Sequence, residues 1–133
     1  MFQSGPLDFS STCLRVRADA AVEPLTIDNT FWQRMMSGQL GDFHNEFLIT
    51  CGTFEGDWPT WEMHPSGDEI VCLLSGAVTF LLEEAHRTHE IELSDNGSYV
   101  VVPKGTWHTA KPREQCRMLF ITPGEGTQHG PTS

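Results

Sequence analysis

Residues 61–70, WEMHPSGDEI, bring two carboxylates and an imidazole together around one turn. Glu62 and His64 are two residues apart, a Pro-Ser-Gly turn follows, and Glu69 begins an apolar run. Alternate side chains of a β-strand lie on the same face, so Glu62 and His64 are expected to share one. Carboxylates and imidazoles bind divalent metal ions and also transfer protons, and this stretch could do either.

Glu69 alternates with Val71 and Leu73, which have the character of core residues, so Glu69 is predicted to point inward. A buried carboxylate needs a partner, because burying an unpaired charge is costly. Two inward carboxylates would force one to be protonated, unless a divalent cation lay between them. A further imidazole comes from His108, which follows the turn at residues 103–105. The candidate ligands of an Fe(II), Mn(II) or Zn(II) ion are two nitrogen and two oxygen donors: Glu62, His64, Glu69 and His108.

The elements that would position these residues are mostly strands. Apolar runs with a period of two, punctuated by glycine-rich turns such as Ser75-Gly76 and residues 95–97, predict an all-β sandwich or barrel. The predicted strands are 13–17, 44–52, 58–64, 69–74, 77–84, 88–93, 98–102, 106–110 and 115–121.

One short helix is predicted at residues 30–37, near the N-terminus. Asp28 or Asn29 would cap it and Gly38 would end it. Its apolar side chains are expected to face a core: Phe31, Trp32 and Met35.

The chain of 133 residues has the length of one domain, and we expect residues 1–133 to fold as a single unit. The barrel core is placed at about 44–122, preceded by an arm at 1–12. The tail, 123–133, has no apolar period, and it is expected to be a surface strap or disordered.

Charge and composition exclude several kinds of partner. The net charge is −10 and only eight residues are Lys or Arg, which argues against binding to nucleic acid or to an anionic membrane. We see no signal peptide and no apolar run that could span a bilayer, so the protein is expected to be cytoplasmic, with reduced thiols. The residues expected to be free thiols are Cys13, Cys51, Cys72 and Cys116. The histidines without metal-ligand spacing are interpreted as solvated or set aside: His44, His86, His89 and His129.

Two segments resemble the two motifs of the cupin superfamily. The first motif is matched by Gly56, five residues, Glu62-Met63-His64, four residues, Glu69, six residues and a closing glycine, Gly76. The second is matched by Gly97, five residues, Pro103-Lys104-Gly105, two residues and His108. Two positions depart from the pattern: Glu62 stands where the family usually has its first histidine, and Pro112 where it has asparagine.

The resemblance implies a double-stranded β-helix, or jelly-roll, barrel that is often a homodimer and holds a metal inside its mouth. It assigns ligand roles to His64, Glu69 and His108 and puts Glu62 at the remaining ligand position. Two carboxylates and two imidazoles make the site with a divalent ion about neutral, whereas three imidazoles and one carboxylate would leave about +1.

Several functions remain open at this point. The barrel is expected to bind a divalent metal and a small organic molecule, as a metal-dependent oxygenase or isomerase. A non-catalytic binding, sensing or storage barrel is an alternative. In a third interpretation the barrel holds no metal and Glu62 is the base of an acid–base isomerase.

Overall fold

The computed structural model describes residues 4–131 of the chain, and the outer ends of the predicted arm and tail, residues 1–3 and 132–133, lie outside them. The described part contains one helix, α1 (Phe31–Met36), and strands that alternate with tight turns. The strands are β1 (Thr12–Val16), β2 (Val22–Thr26), β3 (Phe47–Phe54), β4 (Thr60–Met63), β5 (Glu69–Ser75), β6 (Val78–Glu84), β7 (Arg87–Leu93), β8 (Tyr99–Val102), β9 (His108–Pro112), β10 (Cys116–Pro123) and β11 (Gln128–Pro131).

The strands form two antiparallel sheets that face each other. The first has the order β2-β1-β3-β10-β5-β8 and the second the order β11-β4-β9-β6-β7. From β3 to β11 the chain changes sheet at every connection except the hairpin of β6 and β7, which gives the jelly-roll topology. The all-β barrel prediction is confirmed.

Alternation along the strands builds the core between the sheets. Val71, Leu73, Phe80 and Met118 are fully buried there, as the period of two requires when one face of each sheet is covered. A second cluster forms beneath α1, where Phe31 packs with Cys13 and other apolar residues. Fully burying side chains of this size contributes about 1.5–3 kcal/mol each.

The helix prediction is confirmed, with corrections to its cap and to one side chain. The N-cap is Thr30, without a side-chain capping hydrogen bond, so the expectation that Asp28 or Asn29 caps the helix is wrong. Asp28 instead accepts hydrogen bonds from the backbone N–H and the hydroxyl of Thr30. The helix ends before Gly38, whose φ is 82°. Phe31 is buried, but Trp32 is 50% exposed, so the expectation that Trp32 faces a core is wrong. A helix of six residues has one narrow buried face, and Phe31 occupies it.

Two strands were not predicted. β2 pairs with β1, and β11, within the predicted tail, pairs with β4. Neither has a continuous apolar pattern, since both lie at sheet edges with one exposed side. The four cysteines are free thiols, as predicted. No helix in residues 4–131 is long and apolar enough to cross a membrane.

A largely buried ion pair ties β1 to the segment before β3. Arg15 Nε and Nη2 both donate to Glu46 Oε1, at 2.8 and 2.6 Å. The guanidinium lies 4.0 Å from the Phe43 ring centroid, and it also donates to the Leu40 carbonyl. The Arg15 hydrogen bonds lower the pKa of the Glu46 carboxyl.

We expect Glu46→Gln to lower the free energy of unfolding at neutral pH by about 3 kcal/mol, because the substitution leaves the buried Arg15 without its counter-charge. In the parent protein this contribution is complete above the carboxyl pKa of the unfolded chain, about 4.3. It is lost as the pH falls through the lower folded value. Urea unfolding at several pH values measures both effects. The exposed pair Arg113–Glu92 supplies the control, Glu92→Gln, and equal losses in the two variants would contradict the prediction.

Candidate metal centre

The four predicted ligands come from both sheets and meet between them at one end of the barrel. Glu62 lies in β4 and His108 begins β9, both in the second sheet; Glu69 begins β5 in the first. His64 follows β4 directly, where the chain turns from one sheet to the other. Glu62 and His108 are cross-strand partners, so they share the inward face of their sheet.

Hydrogen bonds join the two turns that carry the motif residues. Asp68 Oδ1 accepts from the backbone N–H of Lys104 at 2.7 Å. The carbonyl of His64 accepts from the N–H of Gly105 at 2.9 Å. These bonds hold His64 beside the start of β9, although the two turns are some forty residues apart in sequence.

The distances within the cluster are short. One donor atom from each of Glu62, His64 and His108 lies within 4.8 Å of the others. Glu69 Oε2 is 3.4 Å from His64 Nε2, and Glu69 Oε1 is 3.1 Å from His108 Nε2. His64, Glu69 and His108 are buried, at 4%, 3% and 0% exposure, whereas the Glu62 side chain is 29% exposed.

Neighbouring groups orient three of the four side chains. His108 Nδ1 lies 3.0 Å from the Thr106 carbonyl, to which it donates, so in the neutral ring Nε2 carries the lone pair. His64 Nδ1 is 2.9 Å from the Thr127 hydroxyl. Thr122 donates to Glu69 Oε2 at 2.6 Å. Outer hydrogen bonds of this kind fix ligand side chains in metal sites.

Three of the converging atoms have no hydrogen-bond partner within residues 4–131: His64 Nε2, Glu69 Oε1 and His108 Nε2. Their mutual contacts are short, but their directions are not those of hydrogen bonds. Leaving such buried atoms unpaired costs about 1–3 kcal/mol each. A divalent cation would satisfy all three, and imidazole nitrogens with carboxylate oxygens suit Fe(II), Mn(II) or Zn(II). The donor set fits a metal ion of this class.

The charges of the site favour a cation. Burial acts to raise the pKa of the Glu69 carboxyl, but the imidazoles of His108 and His64 lower it to about 2. Burial acts to lower the pKa of His108, and the Glu69 carboxylate outweighs this effect, so the pKa is raised. For Glu62, burial and then the charge of Glu69 raise the pKa. Glu69 is therefore an anion at neutral pH, and a proton or a metal ion must balance it.

His129 is a site residue that the sequence did not reveal. It pairs with Glu62 across β11 and β4, on the same face as His108, and its Nε2 lies 3.9 Å from Glu62 Oε2. Only the pairing of the tail with β4 brings it there, and no local spacing signals that contact. His44 instead contacts Glu125, and His89 lies 4.0 Å from Glu84 on the exposed hairpin of β6 and β7.

A cavity of about 820 Å³ opens beside the cluster, within the range of small-molecule sites. Its floor includes Glu62, His64 and Glu69, and its walls include Phe54, Trp58 and Phe120. Side chains of α1, residues of β3 and most of residues 124–129 also contribute to the lining. A ligand in this cavity would therefore touch both the polar cluster and an aromatic wall.

Comparison with solved structures gives the same architecture. A cupin-2 domain containing protein from Shewanella frigidimarina NCIMB 400 is 25% identical, with a TM-score of 0.50 over 58% of this chain and 70% of that one. Hydroquinone 1,2-dioxygenase from Sphingomonas sp. TTNP3 is 18% identical, with a TM-score of 0.51 over 57% and 58% of the two chains.

An oxalate oxidase is 14% identical, with a TM-score of 0.52 over 61% of this chain and 44% of that one. The alignments thus span less than two thirds of either enzyme. No family model and no curated protein matches the sequence. The two-sheet jelly roll, the spacing of both motifs and the likeness to the cupin-2 domain containing protein support the assignment of the chain to the cupin superfamily.

Proposed function

We propose that this chain binds a divalent metal ion, Fe(II), Mn(II) or Zn(II), through Glu62, His64, Glu69 and His108, with a small organic molecule beside it in the cavity. The observation that carries the proposal is the set of three buried, converging atoms without hydrogen-bond partners. The outer hydrogen bonds from Thr122 and to Thr106 support it, because they leave Glu69 Oε1 and His108 Nε2 free for a ligand bond.

As an enzyme, the protein would be a metal-dependent oxygenase or isomerase. The ion, when bound, would supply Lewis-acid or redox chemistry at a substrate oxygen. The protein side chains would orient the molecule and exclude water with the aromatic wall. A barrel that binds its ligand without turnover is the non-catalytic form of the same proposal.

Metal content tests the proposal directly. Purified untagged protein is expected to contain or take up close to one equivalent of iron, manganese or zinc, measured by elemental analysis. His64→Ala is expected to lose it, since one of two buried imidazoles is removed. His89→Ala, in the exposed hairpin, is the matched control and should retain it. Wild-type protein that cannot be loaded with any of the three metals would refute the site.

Thr122→Val should weaken zinc binding about 10- to 100-fold, because it removes the hydroxyl that donates to Glu69 while keeping the side-chain shape. Competition with a chromophoric chelator gives the dissociation constant. Thr79→Val, on β6 and outside the cavity lining, is the control for the loss of a hydroxyl. An unchanged zinc affinity in Thr122→Val would show that this contact does not support a ligand.

A second candidate function is metal-free acid–base isomerisation with Glu62 as the base. Its supporting observation is the position of Glu62 on the cavity, facing His129, with a raised carboxyl pKa. A carboxylate with a raised pKa is a stronger base than an ordinary carboxylate, which suits it to proton transfer. Chelation separates the two candidates once turnover is found: activity that survives complete metal removal supports Glu62 as the base, and activity that disappears supports the metal.

Assembly as a homodimer remains a prediction from the resemblance alone. Light scattering during size-exclusion chromatography would measure the mass directly.

A further inference from the structure

The charges that line the cavity are nearly all negative. Within residues 4–131, the lining contains no lysine and no arginine. Arg15 approaches the lining residue Gly41, but it donates to Glu46 and to the Leu40 carbonyl. The carboxylates of the lining are Asp42, Glu62, Glu69 and Glu125. A carboxylate or phosphate ligand would thus enter without a protein cation to pair with, which is costly in a partly buried site.

Three of these carboxylates have close polar partners, whereas the nearest cationic group to Glu62 is His129, at 3.9 Å. Glu125 contacts the His44 ring at 3.0 Å, and Asp42 accepts from the His44 backbone N–H at 3.0 Å. Glu69 accepts from Thr122 and lies against two imidazoles. The recognition of an organic cation therefore depends on whether a metal ion is bound. Two carboxylates with one divalent ion also make a site that is about neutral.

The walls offer aromatic surface instead. The rings of Phe54, Trp58 and Phe120 contact one another, with centroids 5.6–5.9 Å apart. At the rim, Trp32 is 50% exposed and Met36 is 79% exposed, and both line the cavity. Rings pack well against such surfaces in offset or edge-to-face arrangements.

We propose that the cavity takes an uncharged aromatic molecule bearing a hydroxyl or carbonyl oxygen and discriminates against carboxylates and phosphates. The position of that oxygen, near His64 and Glu69, rests on the proposed function. The discrimination against carboxylates and phosphates does not, because it follows from the lining alone. The polar cluster at the floor holds the oxygen, and the wall of Phe54, Trp58 and Phe120 packs against the ring.

Three probes that share a ring test the inference: 4-methylbenzyl alcohol, 4-methylbenzoate and 4-methylbenzylamine. Isothermal titration calorimetry, with and without one equivalent of zinc, gives their affinities for the full chain. The alcohol is expected to bind at least about tenfold more tightly than the benzoate, a difference of about 1.4 kcal/mol. In the zinc-loaded protein it is expected to bind more tightly than the amine as well. Benzoate binding as tight as that of the alcohol would overturn the inference. Equally tight binding of the amine to the zinc-loaded protein, or no binding of any probe at millimolar concentration, would also overturn it.

Variants test the cause of the preference. Thr50→Lys places a cation in the lining and is expected to strengthen benzoate binding about tenfold. Glu125→Gln removes one negative charge of the lining and should reduce the difference in affinity between the alcohol and the benzoate. The control, Glu90→Gln on the exposed face of β7, should leave that difference unchanged. Unchanged discrimination in both lining variants would show that the charges do not set it.

The outcomes for the two proposals are separable. Protein that binds no metal but still prefers the alcohol contradicts the proposed metal function and supports the charge inference. Protein that binds zinc stoichiometrically but binds the benzoate more tightly than the alcohol supports the proposed metal function and contradicts the charge inference.

Discussion

Zinc is expected to raise the melting temperature of the parent protein by about 10 °C, and to leave the melting temperature of Glu69→Gln nearly unchanged. A ligand that binds only the folded state at 100 times its dissociation constant adds about 2.7 kcal/mol to the free energy of unfolding. A domain of this size gains about 3–5 °C for each kcal/mol. Glu69 supplies the buried carboxylate between His64 and His108, and a neutral amide cannot replace its charge. Differential scanning calorimetry with and without zinc measures the difference.

The same scan on Glu90→Gln controls for the loss of a carboxylate at an exposed position. That variant should show the full stabilisation by zinc. A zinc-dependent increase in Glu69→Gln equal to that of the parent would exclude Glu69 as a ligand, and the metal would then have to be held by other residues.

Gly76→Ala is expected to abolish folding or to cost more than about 4 kcal/mol of unfolding free energy. Gly76 has a φ of 86°, and an added Cβ would lie 2.2 Å from the Gln115 carbonyl oxygen and 2.7 Å from Cys116 Cα. Both atoms belong to the backbone at the start of β10, so neither can move without disturbing the sheet. Urea unfolding and the yield of soluble protein report the loss.

Gly97 offers a matched control, because its φ of 93° is similar but an added Cβ would meet nothing within 4 Å. Gly97→Ala should therefore cost only the backbone strain, about 1–2 kcal/mol. Equal stabilities of the two alanine variants would show that the clash at Gly76 is relieved by movement of the turn.

The comparison of these two glycines shows which structural features the motif spacing indicates and which it does not. Both belong to the matched pattern and both need a positive φ, which the turn signals of the sequence indicated. The close approach of Gln115 to Gly76 is a contact between distant parts of the chain, and no local pattern indicates it. The sequence therefore predicted a turn at each glycine, and the tertiary structure showed how severe a replacement would be.

Most strands were predictable because their side chains alternate between a covered and an open face. The alternation of Glu69, Val71 and Leu73 correctly placed Glu69 inward, where it is buried at 3% exposure. β2 and β11 escaped prediction, since edge strands need no continuous apolar face. Trp32 was misassigned because apolar residues are also common on protein surfaces.

Local patterns of the sequence were sufficient to identify the four candidate ligands. Strand period, turn residues and motif spacing indicated Glu62, His64, Glu69 and His108. Non-local pairing decided the rest. β11 brought His129 to Glu62, β10 brought Thr122 to Glu69, and the packing of two sheets left a cavity with an acidic lining and an aromatic wall. The physical reason is that a strand's period determines which face a residue occupies, while only the assembled sheets determine which residues meet across that face.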